Sequence, residues 1–208
     1  MRIVLFVEGH TEKQVLAPFL KKWLDPQLSR PPRIDCRQLG GVANYRKDVA
    51  SRVRMVTGEP GAPKLICVAG LLDLHRAGFE YPRACRSARD RASWAAKEIQ
   101  ATVANPIFRQ FFAVHELEAW LLADSTIFRP PVQAAVRAIA HPEEVDDTAP
   151  PAKWLDNQYR KQLKQSYKKT TDGRRLFSQL DPDVAATKCP HLKELLDALL
   201  TLAKDAGC

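Results

Sequence analysis

An α/β architecture is what this sequence predicts: a mostly parallel sheet with helices on both faces, plus a helical C-terminal appendage. Three observations predict it. Residues 2–7 and 64–72 are continuous apolar runs rather than alternating ones, the pattern of strands buried on both faces of a parallel sheet. Segments with helical spacing separate the strand-like runs, which is the order of βαβ units. After Asp124 the strand-like runs stop, and Pro130-Pro131 and Pro150-Pro151 punctuate a helical or irregular remainder.

Each element has a local reason. The first strand breaks at Glu8-Gly9-His10. A helix is expected from Thr11, where Thr11 and Gln14 have the spacing of a capping box ahead of Val15, Leu16, Phe19, Leu20 and Trp23. Residues 34–39 read as a second strand, and residues 45–56 as a helix with Val49, Val53 and Val56 at core spacing. The third strand ends at Asp73. Residues 88–103 form a strongly amphipathic helix. Residues 111–114 are a short strand running into a helix over 116–124. Residues 190–203 carry Leu192, Leu195, Leu196, Leu199 and Leu202 on one side. The expected division is an α/β domain over 1–125 and a helical extension over 126–208 packed on it.

Composition narrows the function classes. The chain has 208 residues, 45% hydrophobic and 27% charged, as in ordinary globular domains. No apolar run approaches the roughly 18 residues of a membrane span. The N-terminus opens on a strand-like stretch rather than a signal peptide, so no membrane and a cytoplasmic location are expected. Thirty-two basic residues against twenty-four acidic ones give +8, which favours polyanionic partners and nucleic acid first. The five cysteines are scattered and never spaced CxxC, which argues against a disulfide framework or a zinc knuckle. His115-Glu116 opens no HExxH, because residue 119 is Ala. Gly40-Gly41 lacks a following GK[ST], so ATP hydrolysis by a P-loop is not expected.

The acids fall at informative places. Glu8 lies where the first strand ends, Asp73 at the end of the third, and Glu116 and Glu118 after the fourth. In an open parallel sheet the carboxyl ends of the strands share one edge, where ligands bind. Carboxylates converging there would make a hard oxygen site suited to Mg²⁺ or Mn²⁺. On a helical wheel Glu116 and Glu118 point apart, so Glu118 is expected to face inward and Glu116 to be solvated. Glu12, one turn into its helix, reads as a helix-dipole partner or a supporting acid.

These residues carry a resemblance. Val7-Glu8-Gly9-His10-Thr11-Glu12 resembles the glutamate motif of the TOPRIM domain of topoisomerases, primases and overcoming-lysogenization-defect (OLD) nucleases. Leu71-Leu72-Asp73-Leu74-His75, followed by Gly78-Phe79-Glu80-Tyr81-Pro82, resembles its aspartate motif. The segment from His115 to Asp124 is similar to a hallmark of a bacterial TOPRIM-like family of unknown function. That family is often encoded beside an ABC/OLD-type ATPase in defence islands. Thr148-Ala149-Pro150-Pro151-Ala152-Lys153-Trp154-Leu155 and Lys188-Cys189-Pro190-His191-Leu192 look like its tail. The usual pattern has two aspartates separated by one residue, and here His75 takes the second place. Imidazole is a poor Mg²⁺ ligand and a better Mn²⁺ one, so His75 is a candidate phosphate contact or proton donor.

The resemblance implies a TOPRIM-like fold and a Mg²⁺- or Mn²⁺-dependent nuclease. Glu8, Asp73 and Glu118 are its expected metal ligands, with His75 completing the catalytic set. Two basic clusters are candidate nucleic-acid contacts: Arg76, Arg83 and Arg86 beside Asp73, and Arg160, Lys164 and Lys168 expected on one helical face. DNA is favoured over RNA, with a partner ATPase of the ABC/OLD type, a role in phage defence and a possible oligomer. The alternative is a non-catalytic module of the same fold that binds nucleic acid or docks a partner.

Overall fold

The computed structural model describes residues 1–75, 77–145 and 149–208. Among them, four parallel strands form one sheet in the order β2-β1-β3-β4: β1 Arg2–Val7, β2 Arg33–Gln38, β3 Leu65–Asp73 and β4 Phe108–Ala113. Helix α1 (His10–Leu24) joins β1 to β2, α2 (Val42–Thr57) joins β2 to β3, and α3 (Ala88–Val103) joins β3 to β4. The apolar run of β1 is buried throughout because it is central and covered on both sides. Ile3, Leu5 and Val7 face one core with Leu16, Phe19 and Leu20 of α1. Val4 and Phe6 face a second core with Tyr45 and Val49 of α2 and Ile99 of α3. The expected parallel sheet with helices on both faces is therefore present.

The strand order places a switch point between β1 and β3. The chain leaves β1 for β2 through α1 on one face, then crosses back to β3 through α2 on the other. Where successive crossovers part like this, a crevice opens at the carboxyl edge of the strands. Glu8 and Asp73 lie on its two sides.

The remaining helices are α4 (Glu118–Leu121), α5 (Pro130–Arg137), α6 (Pro151–Leu163), α7 (Arg174–Gln179), α8 (Pro182–Lys188) and α9 (Pro190–Asp205). They cover the α1 face. Val132, Leu155, Leu176, Leu195 and Leu199 share one core with Ile3, Leu5 and Leu16. Trp120, fully buried, stacks on Phe19 at 5.9 Å and meets Phe177 edge-on at 6.5 Å. These rings lock α4, α1 and α7 together over the sheet.

Several expected boundaries are corrected. Helix α1 begins at His10, with Gly9 as its N-cap and no side-chain cap, so the Thr11–Gln14 capping box does not form. Strand β4 begins at Phe108 rather than residue 111, because Phe108 already pairs in register with Val68. The helix expected over 116–124 is one turn. His115 precedes it at φ 58, and Asp124, with extended backbone, accepts the Thr126 N–H at 2.9 Å and starts a separate turn. The expected basic helical face is also absent. Helix α6 ends at Leu163, and Lys164 at φ 58 turns the chain away before Lys168.

Candidate active site

Three carboxylates from three distant segments meet one ammonium at this edge. Asp73, the last residue of β3, has the same strand parity as Ala69 and Leu71 and so faces the α1 side. Glu118 opens α4 and is 1% exposed. Glu12 lies in the first turn of α1. Lys169 begins a π-helical turn, Lys169–Gly173, between α6 and α7. Its Nζ lies 3.2 Å from Glu118 Oε2, 3.5 Å from Glu12 Oε1 and 3.6 Å from Asp73 Oδ2.

Local structure explains how each group reaches the centre. The Leu117 backbone N–H donates to Asp73 Oδ1 at 3.0 Å, which fixes one face of that carboxylate and leaves Oδ2 toward Lys169. A Cβ at Gly9 would lie 2.8 Å from Glu12 Oε2, so glycine lets that carboxylate fold back over the backbone. Gly173 has the same role for Tyr167, whose hydroxyl a Cβ would meet at 2.8 Å. That hydroxyl donates to Glu118 Oε1 at 3.4 Å. The Lys168 N–H donates to Asp172 Oδ2 at 2.9 Å and closes the π turn that carries Lys169. Such turns commonly mark places where a helix gives up regularity to deliver a side chain.

Burial and neighbouring charges perturb each of these groups. Burial pushes the Asp73 carboxyl well above the usual range; Lys169 pulls it down, and Glu118, Glu12 and Glu116 push it further up. Burial likewise raises Glu118, with Lys169 opposing. For Lys169 burial works against the charge, but Asp73, Glu118 and Glu12 together outweigh it and raise its pKa. Glu118 Oε2 is fully buried and makes no aligned hydrogen bond; the Lys169 ion pair is what faces it. Acids outnumber the cation three to one here, and such clustering costs stability that a packed apolar site would not.

The sequence-derived candidates fare differently. Asp73 and Glu118 are brought together. Glu8 follows the end of β1, half-buried, its carbonyl accepting the Gly40 and Gly41 N–H groups at 3.1 and 2.9 Å. The charges that act on Asp73 come instead from Lys169, Glu118, Glu12 and Glu116. His75 is exposed past the end of β3, with its N–H on the His115 carbonyl at 3.0 Å, and does not join the carboxylate cluster. Arg83 and Arg86 are exposed, and Arg76 lies outside the described residues, as does Thr148. Arg160 pairs with Asp156 at 2.7 Å, Lys164 closes α6, and Lys168 precedes the π turn; all three are exposed.

Two readings from the sequence are corrected. Glu116 is not solvated: it is 7% exposed and its Oε2 accepts the Ala152 N–H at 3.0 Å, at the N-terminus of α6. Glu12 is more than a helix-dipole partner, because it shares Lys169. Lys169 itself was hidden in a run of cations. The only local trace of its role is the Lys-Thr-Thr-Asp-Gly segment, whose aspartate and glycine shape the turn.

The donor chemistry of Glu8, Glu12, Asp73 and Glu118 is hard oxygen, which suits Mg²⁺ or Mn²⁺. The acids outnumber Lys169, and burial moves Asp73 and Glu118 toward their protonated forms. As arranged around Lys169, no group of three or more His, Cys, Asp or Glu side chains among the described residues is spaced to hold a metal ion.

An open parallel sheet with acids gathered at its carboxyl edge places this chain among the α/β proteins. Residues 7–200 match the family described as Domain of unknown function (DUF4276), and the chain belongs to that family. Among solved structures it is similar to the C-terminal region of the Burkholderia pseudomallei OLD protein, with 17% identity, 96% of this chain and 98% of that chain covered, and a TM-score of 0.46. It is also similar to the C-terminal region of the Xanthomonas campestris pv. campestris OLD protein, with 14% identity, 95% of this chain and 94% of that chain covered, and a TM-score of 0.40. No curated protein matches the chain. Among the described residues no helix is long and apolar enough to cross a membrane.

Proposed function

We propose that this protein is a TOPRIM-like, Mg²⁺- or Mn²⁺-dependent nuclease that cleaves nucleic-acid phosphodiesters. The observation that supports the reading is the gathering of Glu12, Asp73 and the buried Glu118 around Lys169 at the carboxyl edge of the sheet. Asp73, Glu118 and Glu12 would hold the ion, joined by Glu8 from the end of β1. When bound, such an ion neutralises developing phosphoryl charge and supplies a nucleophile at neutral pH. The chain's own residues do the rest. The Leu117 N–H keeps Asp73 oriented, and Tyr167 keeps Glu118 oriented. Lys169, partly exposed, would offer its positive charge to a phosphate oxygen. Exposed Arg83, Arg86, Arg160, Lys164 and Lys168 would track the backbone of DNA, which is favoured over RNA. The reading includes a cytoplasmic bacterial defence system with an ABC/OLD-type ATPase partner.

Cleavage of single- and double-stranded DNA and of RNA in Mn²⁺, Mg²⁺ or EDTA, with and without such an ATPase, tests this. Metal-dependent cutting that disappears in Asp73→Asn and Glu118→Gln is expected. One observation favours a second reading, a non-catalytic binding or docking subunit: Lys169 already supplies an internal counter-charge to the acids. Wild-type protein that binds nucleic acid but never cuts under any of these conditions would establish that reading instead.

A further inference from the structure

A groove runs between α2 and α3, on the opposite face of the sheet from the carboxylate cluster. Arg46 and Lys47 of α2, Trp94, Glu98 and Ile99 of α3, and Phe79 line it. Its volume is about 510 Å³, within the range of small-ligand sites. Helix α2 starts soon after β2, so Arg46 and Lys47, in its second turn, stand near the carboxyl edge of the sheet. Trp94 is in the second turn of α3, and Glu98 lies one turn further along the same side. The sequence singles out Gly78-Phe79-Glu80-Tyr81-Pro82, and the carboxylate cluster uses none of it.

That segment builds one end of the groove. Gly78, at φ 63, takes a conformation suited to glycine, and its carbonyl accepts an Arg46 N–H at 2.7 Å. The Arg46 guanidinium lies over the Phe79 ring, 4.4 Å from its centroid. Phe79 and Tyr81 each meet Trp94 edge-on at 5.8 Å. These contacts fix the indole, which stays half-buried. Three groups here have no internal partner. Lys47 and Glu98 are exposed and their side chains pair with nothing among the described residues, and there the Trp94 indole N–H donates to nothing. Helix α2 also presents Arg46, Lys47, Arg52 and Arg54 against one acid, Asp48. A basic wall, a fixed ring and an open acceptor complement the phosphate, the base face and the exocyclic amine of a nucleotide.

We propose that the α2–α3 groove binds a nucleotide with an amino-bearing base. The base stacks on Trp94, its exocyclic amine donates to Glu98, and the phosphate lies on Lys47 and Arg46. The site stands on the groove alone and needs neither metal nor cleavage. Tryptophan fluorescence, with anisotropy of 3′-labelled oligodeoxycytidylate and oligothymidylate, tests it in EDTA. Oligodeoxycytidylate is expected to quench wild-type fluorescence and to bind more tightly than oligothymidylate, whose base has no exocyclic amine. Trp94→Phe keeps a stacking ring, so it should bind within about twofold of wild type while losing the quench. Trp94→Ala should bind about tenfold more weakly. Lys47→Ala should bind about threefold more weakly and lower the salt slope by about one. Glu98→Ala should weaken oligodeoxycytidylate about threefold, the scale of one lost hydrogen bond, and leave oligothymidylate no weaker. Quenching by deoxycytidine 5′-monophosphate alone identifies the occupant as a free nucleotide; a need for the oligomer identifies it as a strand. If Trp94→Ala fails to fold, Trp94→Phe and Lys47→Ala still decide. The proposal is overturned if no probe quenches wild type or if Trp94→Phe retains the quench. It is overturned equally if folded Trp94→Ala, Lys47→Ala or Glu98→Ala binds oligodeoxycytidylate as wild type does. A failure of cleavage in Mn²⁺ with the quench intact would count against the nuclease reading alone.

Discussion

Burial and neighbouring acids shift the Asp73 carboxyl well above its ordinary range. The group keeps its proton in the folded chain at pH values where the unfolded chain, near the ordinary pKa of about 4, has lost it. Folded-state proton binding in excess of the unfolded state makes stability fall as pH rises from that point. Glu118 acts in the same direction. Lys169 has the same sign but another window: its raised pKa contributes stability that is complete below about pH 10 and is lost only in stronger alkali. Asp73→Asn is therefore expected to stabilise the protein at pH 8 by about 1 kcal/mol, or roughly 2–4 °C for a chain of this size. The gain should shrink toward pH 4, where wild-type Asp73 is itself neutral. Melts at the two pH values check this, and a lower melting temperature at pH 8 would contradict it. Lys169→Met should do the reverse, leaving the buried Glu118 and the partly buried Glu12 and Asp73 without their cation and costing about 1–2 kcal/mol after solvent screening.

At the scale of elements, two helices share one device. Helix α6 opens with Pro151 and α9 with Pro190, and neither has a side-chain cap from its own N-cap residue. Each borrows a buried glutamate from elsewhere. Glu116 accepts the Ala152 N–H at 3.0 Å, and Glu143 accepts the His191 and Leu192 N–H groups at 3.0 and 3.3 Å. A carboxylate at a helix N-terminus answers both the unpaired donors and the helix dipole. Glu116→Ala and Glu143→Ala should each cost about 1–2 kcal/mol in denaturant unfolding, the range of a lost cap. At the other end of α6, Lys164 sits at φ 58. Lys164→Gly should gain about 0.5–1 kcal/mol, because glycine takes that conformation freely. Proline marked both helix starts in the sequence, but the partner acids, 36 and 48 residues away, left no local sign.

Across the whole molecule, the surplus of eight positive charges is carried outside the buried acidic centre. Nucleic-acid affinity resting on it should fall steeply with ionic strength. Charge reversal at Lys164 and Lys168 should reduce the salt slope by about one for each phosphate that is no longer neutralised. A salt-independent affinity would exclude that surface. The architecture itself was readable from the chain. Strands covered on both faces must be apolar at every position, so Arg2–Val7 and Leu65–Asp73 announce a central parallel pair within a few residues. With the sheet edge known, Glu8 and Asp73 follow as neighbours. What the tertiary structure alone decided is the company these acids keep. Burying several carboxylates demands a cation, and Coulomb attraction in a low-dielectric crevice has no regard for sequence distance. Lys169, 96 residues beyond Asp73, meets that demand from a π turn. The same reasoning separates Glu116 from Glu118: both are buried, but one caps a helix and the other faces the lysine, because their partners come from segments that helical spacing cannot foresee.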